Sequence, residues 1–112
     1  MNPNYGMIRT AAASPRVWLD DVDKNVSEIC SLLNRAEAQR VSLVAFPELS
    51  VTGYTCADLF GQKVLLDAAE RGVASLCDHL KGKPLTAVVG VPVRYGTHLY
   101  NCAAVIGGSG LL

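Results

Sequence analysis

The sequence lacks any imbalance of charge. Ten lysines and arginines stand against ten aspartates and glutamates in 112 residues. No basic excess points to nucleic acid, and no run of like charge points to a tail. Charge of either sign is also scarce, at 18% of residues, where soluble domains usually carry roughly 25%. Apolar residues reach 50%. This combination fits an α/β core that buries much of the chain, within one part of a larger body. No apolar run approaches the roughly 18 residues that a membrane span needs. The opening Met1-Asn2-Pro3-Asn4-Tyr5-Gly6 has no basic stretch leading into an apolar one, so it reads as a short leader and not as a secretory signal. None of the four cysteines, Cys30, Cys56, Cys77 and Cys102, belongs to a C-x-x-C pair. That argues against a zinc site or a thioredoxin-like motif and favours reduced thiols in the cytoplasm. There is no internal repeat.

What is present alternates between strands and helices. Residues 7–13 are small and apolar and end at Ser14-Pro15, which reads as a first strand entering a loop. Trp18 in that loop is expected to anchor packing. Asp20 or Asp21 is placed to cap a helix. Val22, Val26, Ile29, Cys30, Leu33 and Ala36 then recur at three- and four-residue spacing, predicting an amphipathic helix to about Arg40. A second helical region is expected from Asp58, with Leu59, Leu66, Ala69, Val73, Leu76 and Leu80 on its apolar side and Gly61 separating a short turn from the main helix. Gly72 costs that helix about 1 kcal/mol relative to alanine, so it is expected to mark a close contact. Lys81-Gly82-Lys83-Pro84 ends it, with glycine for a left-handed cap and proline to forbid continuation. Residues 85–91 read as a strand apolar on both faces, like a central parallel one. Arg94-Tyr95-Gly96-Thr97 reads as a turn, residues 99–106 as another strand, and Gly107-Gly108-Ser109-Gly110 as a second turn. Leu111-Leu112 looks like the start of a further strand.

Between the helices lies Leu43-Val44-Ala45-Phe46-Pro47-Glu48-Leu49-Ser50-Val51-Thr52-Gly53-Tyr54. Residues 41–46 read as a short buried strand. Pro47 has no N–H and cannot continue a central ladder, so the chain leaves the sheet and sets Glu48 at the carboxyl end of the strand. In α/β sheets that edge is where ligands bind. A glutamate at a strand end is most often a solvated loop charge or a helix cap. One flanked by Phe46 and Leu49 is expected to sit partly out of water, and desolvation tunes a carboxylate for general acid–base work.

Phe46-Pro47-Glu48-Leu49 followed by Thr52-Gly53-Tyr54 resembles the first signature of the nitrilase (carbon–nitrogen hydrolase) superfamily. The continuation Thr55-Cys56-Ala57-Asp58-Leu59-Phe60 looks most like one branch, the amide-hydrolysing N-terminal domain of glutamine-dependent NAD synthetase. Val89-Gly90-Val91-Pro92 and Leu99-Tyr100-Asn101-Cys102-Ala103-Ala104-Val105-Ile106 are similar to a strand and hairpin of the same branch. The resemblance implies an α/β fold, the first half of an α-β-β-α sandwich with a βαβ start followed by helix, strand and hairpin. Residues 1–112 are then the N-terminal portion of a glutamine amidohydrolase domain.

The chemistry implied by the family uses three side chains. A cysteine thiolate attacks the amide carbon of glutamine, a glutamate moves the proton to the leaving ammonia, and a lysine stabilises the oxyanion. The glutamate falls on Glu48 as catalytic base, and the tyrosine that lines the glutamine pocket falls on Tyr54. The family's lysine and cysteine lie further along and have no counterpart in these residues. Cys56 and Cys102 do not match the nucleophile, nor Lys81 and Lys83 the lysine. Asp58 and Phe60 are expected to cap and pack the second helix, and His79 and His98 to face solvent or cap. No metal or cofactor is implied for the amidase part, while ATP and Mg2+ are implied for a synthetase domain that these residues do not include. The implied partners are glutamine, that synthetase domain and further copies of the chain. Two rivals are a stand-alone amidase of the same superfamily and a short, non-catalytic binding domain that keeps half of the fold.

Overall fold

The computed structural model describes residues 6–19, 21–53 and 59–112, with the side chains of 59–62 left out. In chain order it contains β1 (Thr10–Ala12), α1 (Val22–Ala38), β2 (Leu43–Ala45), α2 (Leu59–Leu80), β3 (Thr86–Tyr95), β4 (His98–Gly107) and β5 (Gly110–Leu111). The strands form one sheet in the order β1-β2-β3-β4-β5. β1, β2 and β3 run parallel, and β4 and β5 continue the sheet antiparallel. The βαβ start and the closing hairpin are therefore as expected. β3 is not a wholly parallel strand, however, because one neighbour runs each way.

α1 begins where Asp21 Oδ1 accepts a hydrogen bond from the Lys24 N–H at 3.1 Å; Asp20 lies outside the described residues. The helix ends in a Schellman arrangement, with the Val41 N–H on the Ala36 carbonyl at 3.0 Å and the Arg40 N–H on that of Glu37 at 3.0 Å. Arg40 holds the left-handed position (φ 59°) that glycine usually fills. α2 is one continuous helix through Gly61, so the break expected there does not occur. Gly82 (φ 75°) caps its end as expected, and the Gly82 N–H reaches the Gly108 carbonyl at 2.9 Å.

Both helices cover the same face of the sheet. Ile29 and Leu33 of α1 join Leu65, Ala69, Leu76 and Leu80 of α2, and these meet Val44, Ala87, Val89, Val91 and Ile106 of the sheet in one core. Gly72 lets the helices approach. A Cβ there would stand 2.9 Å from Val22 Cγ1 and 3.0 Å from Val26 Cγ2. Side chains alternate across a strand, so Val88, Gly90 and Pro92 of β3, with their partners Val105, Ala103 and Asn101 on β4, take the face the helices leave open.

The first strand is shorter than the sequence suggests. Met7 and Ile8 stay outside it and exposed. β3 and β4 are longer. They pair from Ala87↔Ile106 to Tyr95↔His98, so the turn narrows to Gly96-Thr97, with Gly96 at φ 63° as a two-residue hairpin requires. Pro92 is tolerated within β3 because β2 pairs no further than Ala45↔Val88. The missing N–H of Pro92 points to the side that β2 has already vacated.

Candidate active site

The turn after β2 takes over β2's place beside β3. Phe46 makes the last regular bond, its N–H on the Val88 carbonyl at 2.8 Å. Pro47 then sends the chain across the open face. The Ser50 N–H closes the turn on the Pro47 carbonyl at 3.2 Å, and Leu49 adopts a left-handed conformation (φ 53°). Gly90 would ordinarily offer its N–H and C=O to the next strand. Instead the Ser50 hydroxyl accepts from the Gly90 N–H at 3.1 Å, and the Val51 N–H donates to the Gly90 carbonyl at 3.1 Å. One side chain and one amide thus replace a missing strand, and the buried backbone stays paired.

The approach is close enough to dictate the residue beneath it. A Cβ on Gly90 would lie 2.1 Å from the Leu49 nitrogen and 2.7 Å from the Glu48 carbonyl carbon. Only glycine admits the turn at that distance. A second tie comes from α1. Asn25, 1% exposed, accepts from the Trp18 N–H at 2.7 Å and donates to the carbonyls of Trp18 at 2.8 Å and Val51 at 2.9 Å. One buried amide therefore joins the loop before α1 to the turn that carries Glu48. Trp18 is an anchor chiefly through its backbone; its half-buried ring meets the cationic ends of Arg16 and Lys24 at 5.3 Å each.

Glu48 sits where the sequence places it, at the carboxyl end of β2. Its surroundings differ from the expectation. Phe46 turns into the core and Leu49 is half-buried, yet the Glu48 side chain is exposed. Its flanking residues do not withdraw it from water, because the turn projects it over the open face. There Asn101 of β4 donates from Nδ2 to Glu48 Oε1. Tyr54, expected in the substrate pocket, lies outside the described residues, as do Cys56 and Asp58.

The other candidates fall elsewhere. Cys102 pairs with Val91 and so belongs to the helix-covered face, with the sheet between it and Glu48. Lys83 precedes β3 at the opposite edge and pairs with Glu37 at 3.7 Å. His79 Nε2 meets Asn34 Oδ1 at 2.9 Å; partial burial and the nearby Lys83 charge hold it below the usual histidine range, against an opposing pull from Glu37. His98 is exposed at the hairpin tip. Burial pushes the Cys30 thiol up, so it is poorly suited to act as a nucleophile. A groove of about 580 Å³ opens between α2 and the β3–β4 hairpin, lined by Leu66, Val73, Cys77, Val91, Ala104 and Leu111 among others. It too lies on the helix side and does not reach Glu48. Among the described residues no group of His, Cys, Asp and Glu could hold a metal ion, and no helix is long and apolar enough to cross a membrane.

Residues 9–112 match the carbon-nitrogen hydrolase family, and the chain belongs to it. Within that family its relatives include glutamine-dependent NAD(+) synthetases. That of Mycobacterium bovis is 30% identical over 102 residues, 91% of this chain and 15% of the relative. That of Aquifex aeolicus is 30% identical over 100 residues, 89% of this chain and 17% of the relative. The crystal structure of a glutamine-dependent NAD(+) synthetase from Cytophaga hutchinsonii superposes with a TM-score of 0.83 at 26% identity, over 93% of this chain and 18% of that one. An amidase from Nesterenkonia sp. shares the fold with a TM-score of 0.80 at 20% identity, over 94% of this chain and 40% of the amidase. The chain thus spans about 15% of the first of these synthetases. The fold is the nitrilase-like one of the synthetase N-terminal domain, seen here as one sheet with its helix layer.

Sequence reasoning passed over three residues of this site. Asn25 sits on the apolar stripe of α1, three residues after Val22 and four before Ile29, and a polar residue there signals a buried bond. Ser50 and Asn101 lie inside the family-like stretches without a role. A lone amide between Tyr100 and Cys102 in a largely apolar run was the available signal for Asn101.

Proposed function

We propose that the chain forms the opening part of a glutamine-hydrolysing domain that supplies ammonia for ATP-dependent NAD synthesis from nicotinic acid adenine dinucleotide. Glu48 serves as general base. The observation that carries this reading is the Glu48 turn itself, fixed over Gly90 at the carboxyl end of β2. The relatedness to NAD synthetases over nine-tenths of the chain supports the choice of glutamine. In the proposed reaction Glu48 takes the proton of a cysteine thiol as sulfur attacks the amide carbon, then passes it to the departing nitrogen, which leaves as ammonia. Water cleaves the resulting thioester to glutamate and restores the thiol. Tyr54 contributes to the glutamine pocket. The thiol and the lysine that stabilises the oxyanion are assigned to no residue of 1–112, so these residues alone are expected to be inactive.

The reading implies ATP and Mg2+ for the synthetase step. The described residues offer no cluster for a metal, and none of them is assigned to that step. It also implies a synthetase domain as partner, assembly into homo-oligomers and a cytoplasmic setting.

The test uses the full-length gene product. Glu48→Gln should lower glutamine-driven NAD formation at least about a hundredfold and leave ammonia-driven formation intact. Unchanged use of glutamine would remove Glu48 from the reaction. Amide hydrolysis without any NAD formation would favour the second reading, a free-standing amidase, to which the fold likeness with the Nesterenkonia enzyme points.

A further inference from the structure

We propose that Asn101 is a positioning residue of the Glu48 carboxylate, a role that rests on the glutaminase reading above. Asn101 lies in β4 directly opposite Pro92. Gly90 turns both its N–H and its C=O toward the Glu48 turn. Pro92, two residues on, faces the same way, so Pro92 and Asn101 exchange no backbone bonds. In such a pair the side chains approach most closely. Asn101 shares its face with Ala103, the partner of Gly90. It therefore rises from the sheet beside the ground over which the turn carries Glu48. Its Nδ2 donates to Glu48 Oε1.

The chemistry of the pair favours orientation. An exposed glutamate has three side-chain torsions and samples many rotamers. A base acts only from a narrow range of positions. Asn101 supplies a directional donor from a paired strand. Unlike lysine or arginine it adds no opposing charge, and unlike histidine it cannot itself take the proton. The turn is anchored from below by Gly90 and Ser50 and from behind by Asn25. Those contacts fix the backbone of Glu48, and Asn101 helps to orient its carboxylate through Oε1.

The test is steady-state kinetics on the full-length gene product with glutamine or ammonia. Asn101→Ala should lower kcat with glutamine about 10- to 100-fold. KM for glutamine should change less than about twofold, and ammonia-driven synthesis should be preserved, because the loss concerns the reacting geometry and not uniform binding. Asn101→Asp keeps the size but loses the donor, and should fall at least as far. In a Glu48→Gln background, Asn101→Ala should cause no further loss, since the two act as one unit. An unchanged kcat would overturn the proposal, as would a raised KM with kcat kept, or equal losses with glutamine and ammonia. A Glu48→Gln variant that still uses glutamine would overturn the base assignment and this role together. An inactive Glu48→Gln beside a fully active Asn101→Ala would overturn this role alone.

Discussion

The two faces of the sheet are built differently. On one, Val44, Ala87, Val89, Val91 and Ile106 lie buried beneath α1 and α2. On the other, Ala45 and Ala103 are exposed, Val88 and Val105 are half-buried, and Glu48 and Asn101 meet at the edge. The first face holds branched and bulky side chains against helices. The second is flat and small, as suits one layer of an α-β-β-α sandwich. The site stands on the second face because a turn can cross it closely only where side chains are small, above all at Gly90. The buried core and the Glu48–Asn101 pair are thus divided between opposite sides of the same sheet.

The sharpest way to break this division is at Gly90. Gly90→Ala places a methyl group within the backbone of the Glu48 turn. The turn must lift, which is expected to cost about 3 kcal/mol and to free Ser50 and Val51 from their bonds. Urea unfolding would show the loss, and faster exchange of the Val51 amide would localise it. A Gly90→Ala chain as stable as the parent would refute the close approach.

A paired truncation compares the faces directly. Leu76→Ala on the covered side removes a fully buried side chain and should cost about 2–5 kcal/mol. Val105→Ala on the open side should cost less than about 1 kcal/mol. Equal losses in chemical denaturation would mean that the open face is as well packed as the covered one.

The smallest effect belongs to the rim of the helix layer. His79 is held below its ordinary histidine range by partial burial first and by Lys83 second, with Glu37 opposing. The unfolded chain therefore binds the proton more readily. Stability should be complete above about pH 6.5 and decline slightly as pH falls through that value toward the lower folded one. His79→Gln should remove this slope. A parent and variant with identical pH dependence would leave His79 without a part in it.

Much of the fold was legible because local chemistry and tertiary need agree. The α1 stripe, a carboxylate cap at position 20 or 21, the Gly82 stop and a turn within residues 94–97 each follow from residue type. The errors arose where a neighbour decides. β1 shrinks to three residues because β2 offers it only three partners. α2 runs through Gly61, since a glycine's cost of about 1 kcal/mol does not outweigh the burial of Leu65, Ala69, Leu76 and Leu80 further along the same helix. Pro92 continues a strand because the side it faces no longer needs its N–H.

The site divides in the same way. The sequence by itself determined that Glu48 leaves the sheet at the end of β2, because Pro47 cannot donate to a ladder. It determined the family as well, through the motif that surrounds Glu48. Only the tertiary structure decided that Glu48 stands exposed beside Asn101, with Cys102 on the far side of the sheet. Residues 48 and 101 are brought together by strand register and by the missing side chain of Gly90. Register and close approach depend on pairing between distant segments, which no local run of residues encodes.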